Sequence, residues 1–275
     1  MPEGPEIRRA ADKIADVLEG KRIEAVRFGI QRLRKWERAL VGARVSRVET
    51  RGKALLNHFD HGLTVYSHNQ LYGIWRVLEG HELPDTKRSL RLLLQTATHS
   101  AILYSASDIS VWPSSELKHH PFLAKLGPDI MDPMLGWRDV AARLLEPRFR
   151  NRELAALYLD QSFLAGNGNY LRSEVLFDAG VHPRSKPAAL RRGQVGKLAR
   201  STLALSRRSH ETSGITLPPR LAATLTKKGW PPGRRRFFVF GRAGQPCHRC
   251  PSLVDECEVG SRRLYSCPTC QTVNP

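Results

Sequence analysis

The stretch FLAKLGPDIMDP, residues 122–133, is where the periodicity of the chain changes. Gly127, Pro128 and Pro133 interrupt any regular element there, so it reads as a linker between a strand-rich half and a helix-rich half. Upstream, from Arg22 to Trp112, short runs such as RIEAVRF, ARVSRVETRG, KALLNHF, LTVYSHN, YGIWRVL, SLRLLLQT and AILYSAS are separated by Gly, Asp, His and Pro, the pattern of successive strands. One helix precedes them: PEIRRAADKIADVLEG puts Ile7, Ala10, Ala11, Ile14, Ala15 and Leu18 on one face, with Pro5 near the first turn and Gly20 past the end. Several strands with a single docked helix predict a β-sandwich or barrel-like domain. Downstream, LGWRDVAARLLE, NRELAALYLDQ, GNYLRSEVLFDAG and AALRRGQVGKLARSTLALS all follow the helical period. Ser209 to Arg236 carries four prolines and the basic run PPGRRR, which reads as a mobile loop. The last segment, from Arg236, alternates like a hairpin and holds every cysteine. The expected organisation is therefore a sandwich over 1–125, a linker over 126–137, a helical domain over 138–235 and a cysteine hairpin over 236–275.

Forty-four Lys and Arg against 26 Asp and Glu leave a formal charge of +18, spread along much of the 275 residues. Such an excess predicts a polyanionic partner, nucleic acid first. No apolar run approaches a transmembrane length and no basic amphipathic helix dominates, which sets a membrane surface aside. The first thirty residues lack the apolar core of a signal peptide. All five cysteines fall between Cys247 and Cys270, so no disulfide framework spans the chain and a reducing cytoplasm is expected.

Cys247, Cys250, Cys267 and Cys270 form C-x2-C-x16-C-x2-C, a spacing that brings four thiolates round one structural zinc ion. A redox dithiol would need one such pair and a thioredoxin-like βαβ context, which is absent. With four protein ligands no position is left for an activated water, so the metal is expected to hold a hairpin. Cys257 reads as a bystander thiol and His248 as a poor alternative ligand. Arg262 and Arg263 lie where a hairpin tip carries side chains outward, to solvent or to phosphates.

Three other stretches stay ambiguous when taken singly. Ala165 to Gly168, before Asn169, is either an ordinary glycine turn between helices or a place where backbone amides approach a phosphate. In SHNQLYGIW, Gln70, Leu71 and Tyr72 are either anchors of a turn or a wedge that enters a base stack. At the start, MPEGPE places Glu3 where a carboxylate favours a helix dipole and Pro2 where methionine removal would leave a free secondary amine.

Taken together and in order, MPEGPEIRRAADKI, the lysine of ETRGKALL, SHNQLYG, FLAGNGNYLRSEVL and the cysteine hairpin resemble the formamidopyrimidine-DNA glycosylase and endonuclease VIII family, in particular its bacterial endonuclease VIII branch. The resemblance runs from Met1 to about His182 and returns from about Arg236 to Gln271. It implies an α+β fold: an N-terminal β-sandwich with a catalytic helix, a helix-two-turn-helix domain and a C-terminal zinc β-hairpin. It also implies a monomeric bifunctional DNA glycosylase and abasic-site lyase of base excision repair, acting on double-stranded DNA that carries oxidised bases or abasic sites. Pro2 would be the nucleophile: an α-amino group titrates at roughly 7.7 to 8.0, so about a tenth is neutral near pH 7. Glu3 matches the family's acid/base and Lys53 its active-site lysine, a proton donor and phosphate clamp. Glu6 stands between helix capping and support of these groups. Asn169 and Arg262 correspond to phosphate contacts, and Gln70, Leu71 and Tyr72 to the trio that fills the gap left by the extruded nucleotide. A contiguous trio points to oxidised pyrimidines as substrates. Two departures stand out: Asn167 occupies a place where a small apolar residue is expected, adding a phosphate contact or loosening the turn, and Ser185 to Arg235 has no clear match. The rival is a zinc-dependent damaged-DNA-binding protein without catalysis, against which the set Pro2, Glu3 and Lys53 argues.

Overall fold

Glu3 opens the first helix with an extended backbone (φ −109°, ψ −178°), and Pro5 lies in the first turn, where a missing N–H costs nothing. Helix α1 (Gly4–Leu18) buries Ile7, Ala11, Ile14 and Leu18 along one stripe, while Ala10 and Ala15 at its edges are half-buried. It ends where Gly20 takes φ +71° and donates its N–H to Val45. This is the computed structural model of residues 2–272, which form one unit up to Lys125 and a second from Leu126.

In the first unit eight antiparallel strands follow: β1 (Ala25–Phe28), β2 (Val45–Arg51), β3 (Ala54–Phe59), β4 (Leu63–His68), β5 (Ile74–Glu79), β6 (Leu90–Gln95), β7 (His99–Tyr104) and β8 (Asp108–Pro113). They make two sheets, ordered β1-β6-β7-β5 and β2-β3-β4-β8. The alternation of β3 shows how the sandwich closes. Leu55 and Phe59 point into the core shared with α1, Phe28, Leu92, Leu94 and Leu103, whereas Ala54 and Leu56 face outward and are covered, with Tyr66, by Phe122 and Leu123. Residues 31–40, between β1 and β2, hold a 3-10 turn and the short helix α2 (Glu37–Leu40), which strand alternation did not anticipate.

One exposed edge of this unit carries a charged network. Glu49 on β2 pairs with Arg47 and Arg51, and His58 Nε2 on β3 lies 3.4 Å from its carboxylate. The His58 interaction and the two arginine charges, against burial, hold its pKa down at about 2. A depressed pKa gives stability that is complete above the ordinary value of 4.5 and is lost as pH falls toward about 2. Between pH 4.5 and pH 2, therefore, the melting temperature of the unmodified protein is expected to fall more steeply than that of Glu49→Gln, as thermal melts across that window would show.

In the second unit residues 127–130 run beside 161–165, joined by Gly127 N–H to Gln161 O and Ile130 N–H to Ala165 O. A Cβ on Gly127 would stand 2.5 Å from the carbonyl oxygen of Ser162, so only glycine permits this approach. Helices α3 (Trp137–Leu144), α4 (Leu154–Leu157), α5 (Asn169–Ala179) and α6 (Arg192–Glu211) enclose a core that includes Ile130, Val140, Phe163, Leu171, Val175, Leu198 and Leu203. Residues 209–236 are not a loop throughout: α6 continues to Glu211 and α7 (Pro219–Lys227) follows. Leu221, Ala222 and Leu225 recur at helical spacing and pack with Trp230, Phe238 and Val239, so three apolar contacts outweigh the prolines, one of which simply starts the helix. Glu174 of α5, fully buried, accepts the backbone N–H groups of Phe238, Val239 and Phe240 and the hydroxyl of Thr216. That carboxylate bolts the segment leading to the cysteines onto α5. Strands β9 (Asp255–Glu258) and β10 (Arg263–Ser266) form the terminal hairpin.

Candidate active site

Each residue singled out in the sequence has a definite setting, beginning at the N-terminus. Pro2 is half-buried and borders a cavity of about 470 Å³ whose other walls come from Glu6, Arg9 and Lys13 of α1, Asn69, the segment from Leu71 to Trp75, and Arg88. Met1, whose removal would free the Pro2 amine, lies outside the described residues. Glu3 is 3 % exposed at the start of α1, a rare position for a carboxylate. Glu6 acts as a cap: its Oε2 accepts the Glu3 N–H at 3.0 Å while Oε1 receives Arg9 at 3.1 Å.

Lys53 is brought in by the two-residue turn between β2 and β3. Gly52, φ +60°, takes the first central position, as a type II′ hairpin requires, and Lys53 takes the second, where it is buried. His68, on β4 opposite Ala54, has its pKa lowered by burial and further by the Lys53 charge, against Asp108, its register partner on β8. The same His68 accepts the Gln70 N–H on Nδ1 at 3.0 Å. One imidazole therefore feels the lysine's charge and also anchors the turn that follows.

That turn presents Leu71 and Tyr72 at 55 % and 72 % exposure, large apolar surfaces open to solvent. Besides the bond to His68, three hydrogen bonds hold it. Gly73 N–H closes on Asn69 O at 2.8 Å, and Gln70 adopts φ +51°, uncommon outside glycine. Ser107 donates to Gln70 Oε1 at 2.6 Å, and Arg88 donates to the Tyr72 carbonyl at 3.0 Å. A Cβ on Gly73 would fall 2.4 Å from Asn69 O and 2.7 Å from its Cα. Gly73→Ala is expected to cost about 1–3 kcal/mol, seen as a lower melting temperature, and to displace Leu71 and Tyr72 together. Arg88 and Ser107 carry no signal in sequence, because only the fold of the strands brings them to the turn.

The remaining candidates belong to the second unit. Asn169 is the first residue of α5, half-buried after the turn Gly166–Gly168. Asn167 is fully buried, and neither of its amide atoms meets a hydrogen-bonding partner among the described residues. Arg262 follows Gly260 and Ser261, both with positive φ (+61° and +57°), the two centres of a type I′ turn, so it is exposed at the hairpin tip. Arg263 instead leans on Glu256 at 3.6 Å.

The four cysteine sulfurs of Cys247, Cys250, Cys267 and Cys270 lie within 4.8 Å of one another. Metal–thiolate bonds of about 2.3 Å in a tetrahedron set sulfurs about 3.8 Å apart, and the contacts here are 3.4 Å (Cys250 to Cys267), 3.6 Å (Cys250 to Cys270) and 3.9 Å (Cys247 to Cys270). The donor set fits one tetrahedral metal ion. Cys257 is exposed on β9 outside the cluster, and the His248 ring lies 5.8 Å from that of Trp230 instead of joining it.

The formamidopyrimidine-DNA glycosylase N-terminal domain matches residues 1–107, and the formamidopyrimidine-DNA glycosylase H2TH domain matches residues 126–219. Among curated proteins, Endonuclease 8 of Escherichia coli is 48 % identical and that of an Enterobacter species 45 %, each aligned over 98 % of this chain and all of its own length. Among solved structures, Lactococcus lactis formamidopyrimidine-DNA glycosylase non-covalently bound to abasic-site DNA superposes with a TM-score of 0.79 at 19 % identity, covering 98 % of this chain and 99 % of that one. A mutant of the same enzyme with DNA containing Fapy-dG gives 0.81 at 20 % identity over the same shares, which again speaks to the fold. With both domain models matched in order and relatives at nearly half identity over almost the full length, the chain belongs to the formamidopyrimidine-DNA glycosylase family.

Proposed function

We propose that this chain is a DNA glycosylase and abasic-site lyase of base excision repair that removes oxidised pyrimidines through a Schiff base on Pro2. The observation that carries the reading is that Pro2 and the exposed Leu71 and Tyr72 border one cavity within one unit. A nucleophile and a wedge on the same cavity are what a base-flipping enzyme requires. Relatives called Endonuclease 8, and neighbours solved with abasic-site and damaged-base DNA, support the same class.

The chemistry follows from the groups present. Once Met1 is gone, the neutral Pro2 nitrogen attacks C1′ of the damaged nucleotide, and the bond from C1′ to the base breaks as the base departs. Glu3 protonates the ring oxygen as the C1′–O4′ bond breaks and the sugar opens, while the proton shed by the Pro2 nitrogen balances the one the departing base takes up, leaving an iminium between Pro2 and C1′. Pro2 nitrogen then has no proton to lose, so the cation persists as an electron sink. Loss of a C2′ proton expels the 3′ phosphate, and a second elimination expels the 5′ phosphate. Lys53 supplies a proton and a phosphate contact; Asn169 and Arg262 grip phosphates beside the lesion; Gln70, Leu71 and Tyr72 fill the vacated stack. Cys247, Cys250, Cys267 and Cys270 would hold a zinc ion, which would fix the hairpin that bears Arg262.

On an end-labelled duplex with one thymine glycol, both strand ends at the lesion should carry phosphate, as gel mobility would show. A single elimination product, or no cleavage, contradicts the reading. Binding should also weaken steeply with salt. Lys53 and Arg262 each release about 0.9 counterion, so log K against log salt should slope at least about −1.8. A slope near zero would remove the phosphate contacts from the account.

A further inference from the structure

Arg172 lies one turn after Asn169 on α5 and is fully buried, a costly place for a guanidinium unless its donors are met. Its Nη2 donates to Asn169 Oδ1 at 2.6 Å and to the backbone oxygen of Arg263 at 3.2 Å, and its Nη1 donates to the oxygen of Ala155 at 3.0 Å. One nitrogen therefore joins the first residue of α5 to the hairpin strand β10, and each of these two segments bears a proposed phosphate-gripping side chain. We propose that Arg172 is a positioning residue that makes Asn169 and Arg262 a single preformed phosphate clamp. The inference rests on the reading that those two side chains contact phosphates.

Chemistry at each end supports it. An amide offers one acceptor oxygen and an NH2 with two donors. Because Arg172 occupies the Asn169 oxygen, the NH2 is the part left to face an anion, and the opposite orientation would turn an acceptor toward a phosphate. At the other end, fixing the Arg263 carbonyl fixes the residue next to Arg262, directly after the type I′ turn. Ser173 adds a second tie two residues on, its Oγ accepting the Tyr265 N–H at 3.3 Å, so β10 is pinned to α5 at alternate residues. Arg262 has no ion pair among the described residues, whereas Arg263 is directed to Glu256. Lysine could not substitute, because a point-like ammonium lacks the planar fork that meets three fixed acceptors from one side.

The test is equilibrium binding of full-length, metal-loaded protein to a duplex carrying a tetrahydrofuran abasic analogue, across a salt series. Arg172→Met is expected to weaken binding at least tenfold and to flatten the salt slope by about 0.9, the share of one lost Arg262 contact, although Arg172 itself reaches no phosphate. Adding Arg262→Ala to Arg172→Met should flatten it no further, and Arg172→Lys should behave like Arg172→Met. A purely structural role would reduce the folded fraction and leave the slope intact, so an unchanged slope in a folded variant overturns the proposal. If Asn169→Ala and Arg262→Ala alone change neither affinity nor slope, the phosphate contacts themselves fail, and the clamp is overturned through that premise. Should neither Arg172 variant fold, proton exchange in the unmodified protein decides. Slowly exchanging Arg172 guanidinium protons, with an Asn169 side-chain NH2 resonance that shifts when the duplex is added, support the clamp; fast exchange before DNA is added overturns it.

Discussion

Excision of thymine glycol should fall by about 10²–10⁴-fold in Glu3→Gln, the range lost when a positioned proton-transfer group is removed, and should vanish in protein that keeps Met1. The two losses have different causes. The amide of Glu3→Gln has nearly the shape of the carboxylate and would still fit the buried site at the start of α1, so binding should persist while ring opening loses its proton source. Retained Met1 turns the Pro2 nitrogen into an amide, whose lone pair is delocalised and cannot attack C1′. Single-turnover rates on the same duplex, with the N-terminus of each preparation weighed by mass spectrometry, separate the two. Near-normal excision by Met1-bearing protein would remove Pro2 from the chemistry.

Removal of the metal should have the second large effect. Phe238, Val239, Val254 and Tyr265 pack round Cys247 and Cys267 in a cluster too small to stand alone, and structural zinc contributes about 10–16 kcal/mol in comparable small modules. Cys250→Ser is therefore expected to release the metal, unfold the hairpin that presents Arg262 and weaken binding to abasic-analogue DNA by about tenfold or more. The sheets and α1 of the first unit, whose core contains none of these residues, should keep their melting transition. One metal per chain in the unmodified protein and none in the variant, by elemental analysis alongside the binding curve, is the expected result. Full DNA affinity in metal-free protein would contradict it.

The parts of this molecule that were legible in sequence are those where one local rule has no competitor. The stripe Ile7, Ala11, Ile14 and Leu18 repeats at the helical period and is buried as such. Alternation in KALLNHF puts Leu55 and Phe59 on one face and Leu56 on the other, and the cysteine pairs converge within reach of one ion. Legibility fails where tertiary contacts decide. The prolines and arginines of 209–236 suggested a loop, yet Leu221 and Leu225 gain enough from packing beside Phe238 to keep α7 folded. Asn167 stands where a small apolar residue is expected, and it is fully buried as that residue would be. His68 lies in SHNQLYG and Arg172 in FLAGNGNYLRSEVL, with Ser107 outside both, yet no local rule gives any of the three a role; the register of β4 with β8, and the seating of β10 on α5, give them partners up to 91 residues away.

The central claim is a covalent intermediate on the N-terminal proline, and borohydride trapping reads it most directly. Processed protein is incubated with a duplex bearing one thymine glycol in the presence of borohydride, the crosslinked product is digested, and the DNA-bearing peptide is sequenced by mass spectrometry. A reduced sugar adduct on Pro2 is expected, largely lost in Pro2→Gly. An adduct on Lys53, or DNA binding with no adduct on either thymine glycol or a plain abasic site, would contradict it.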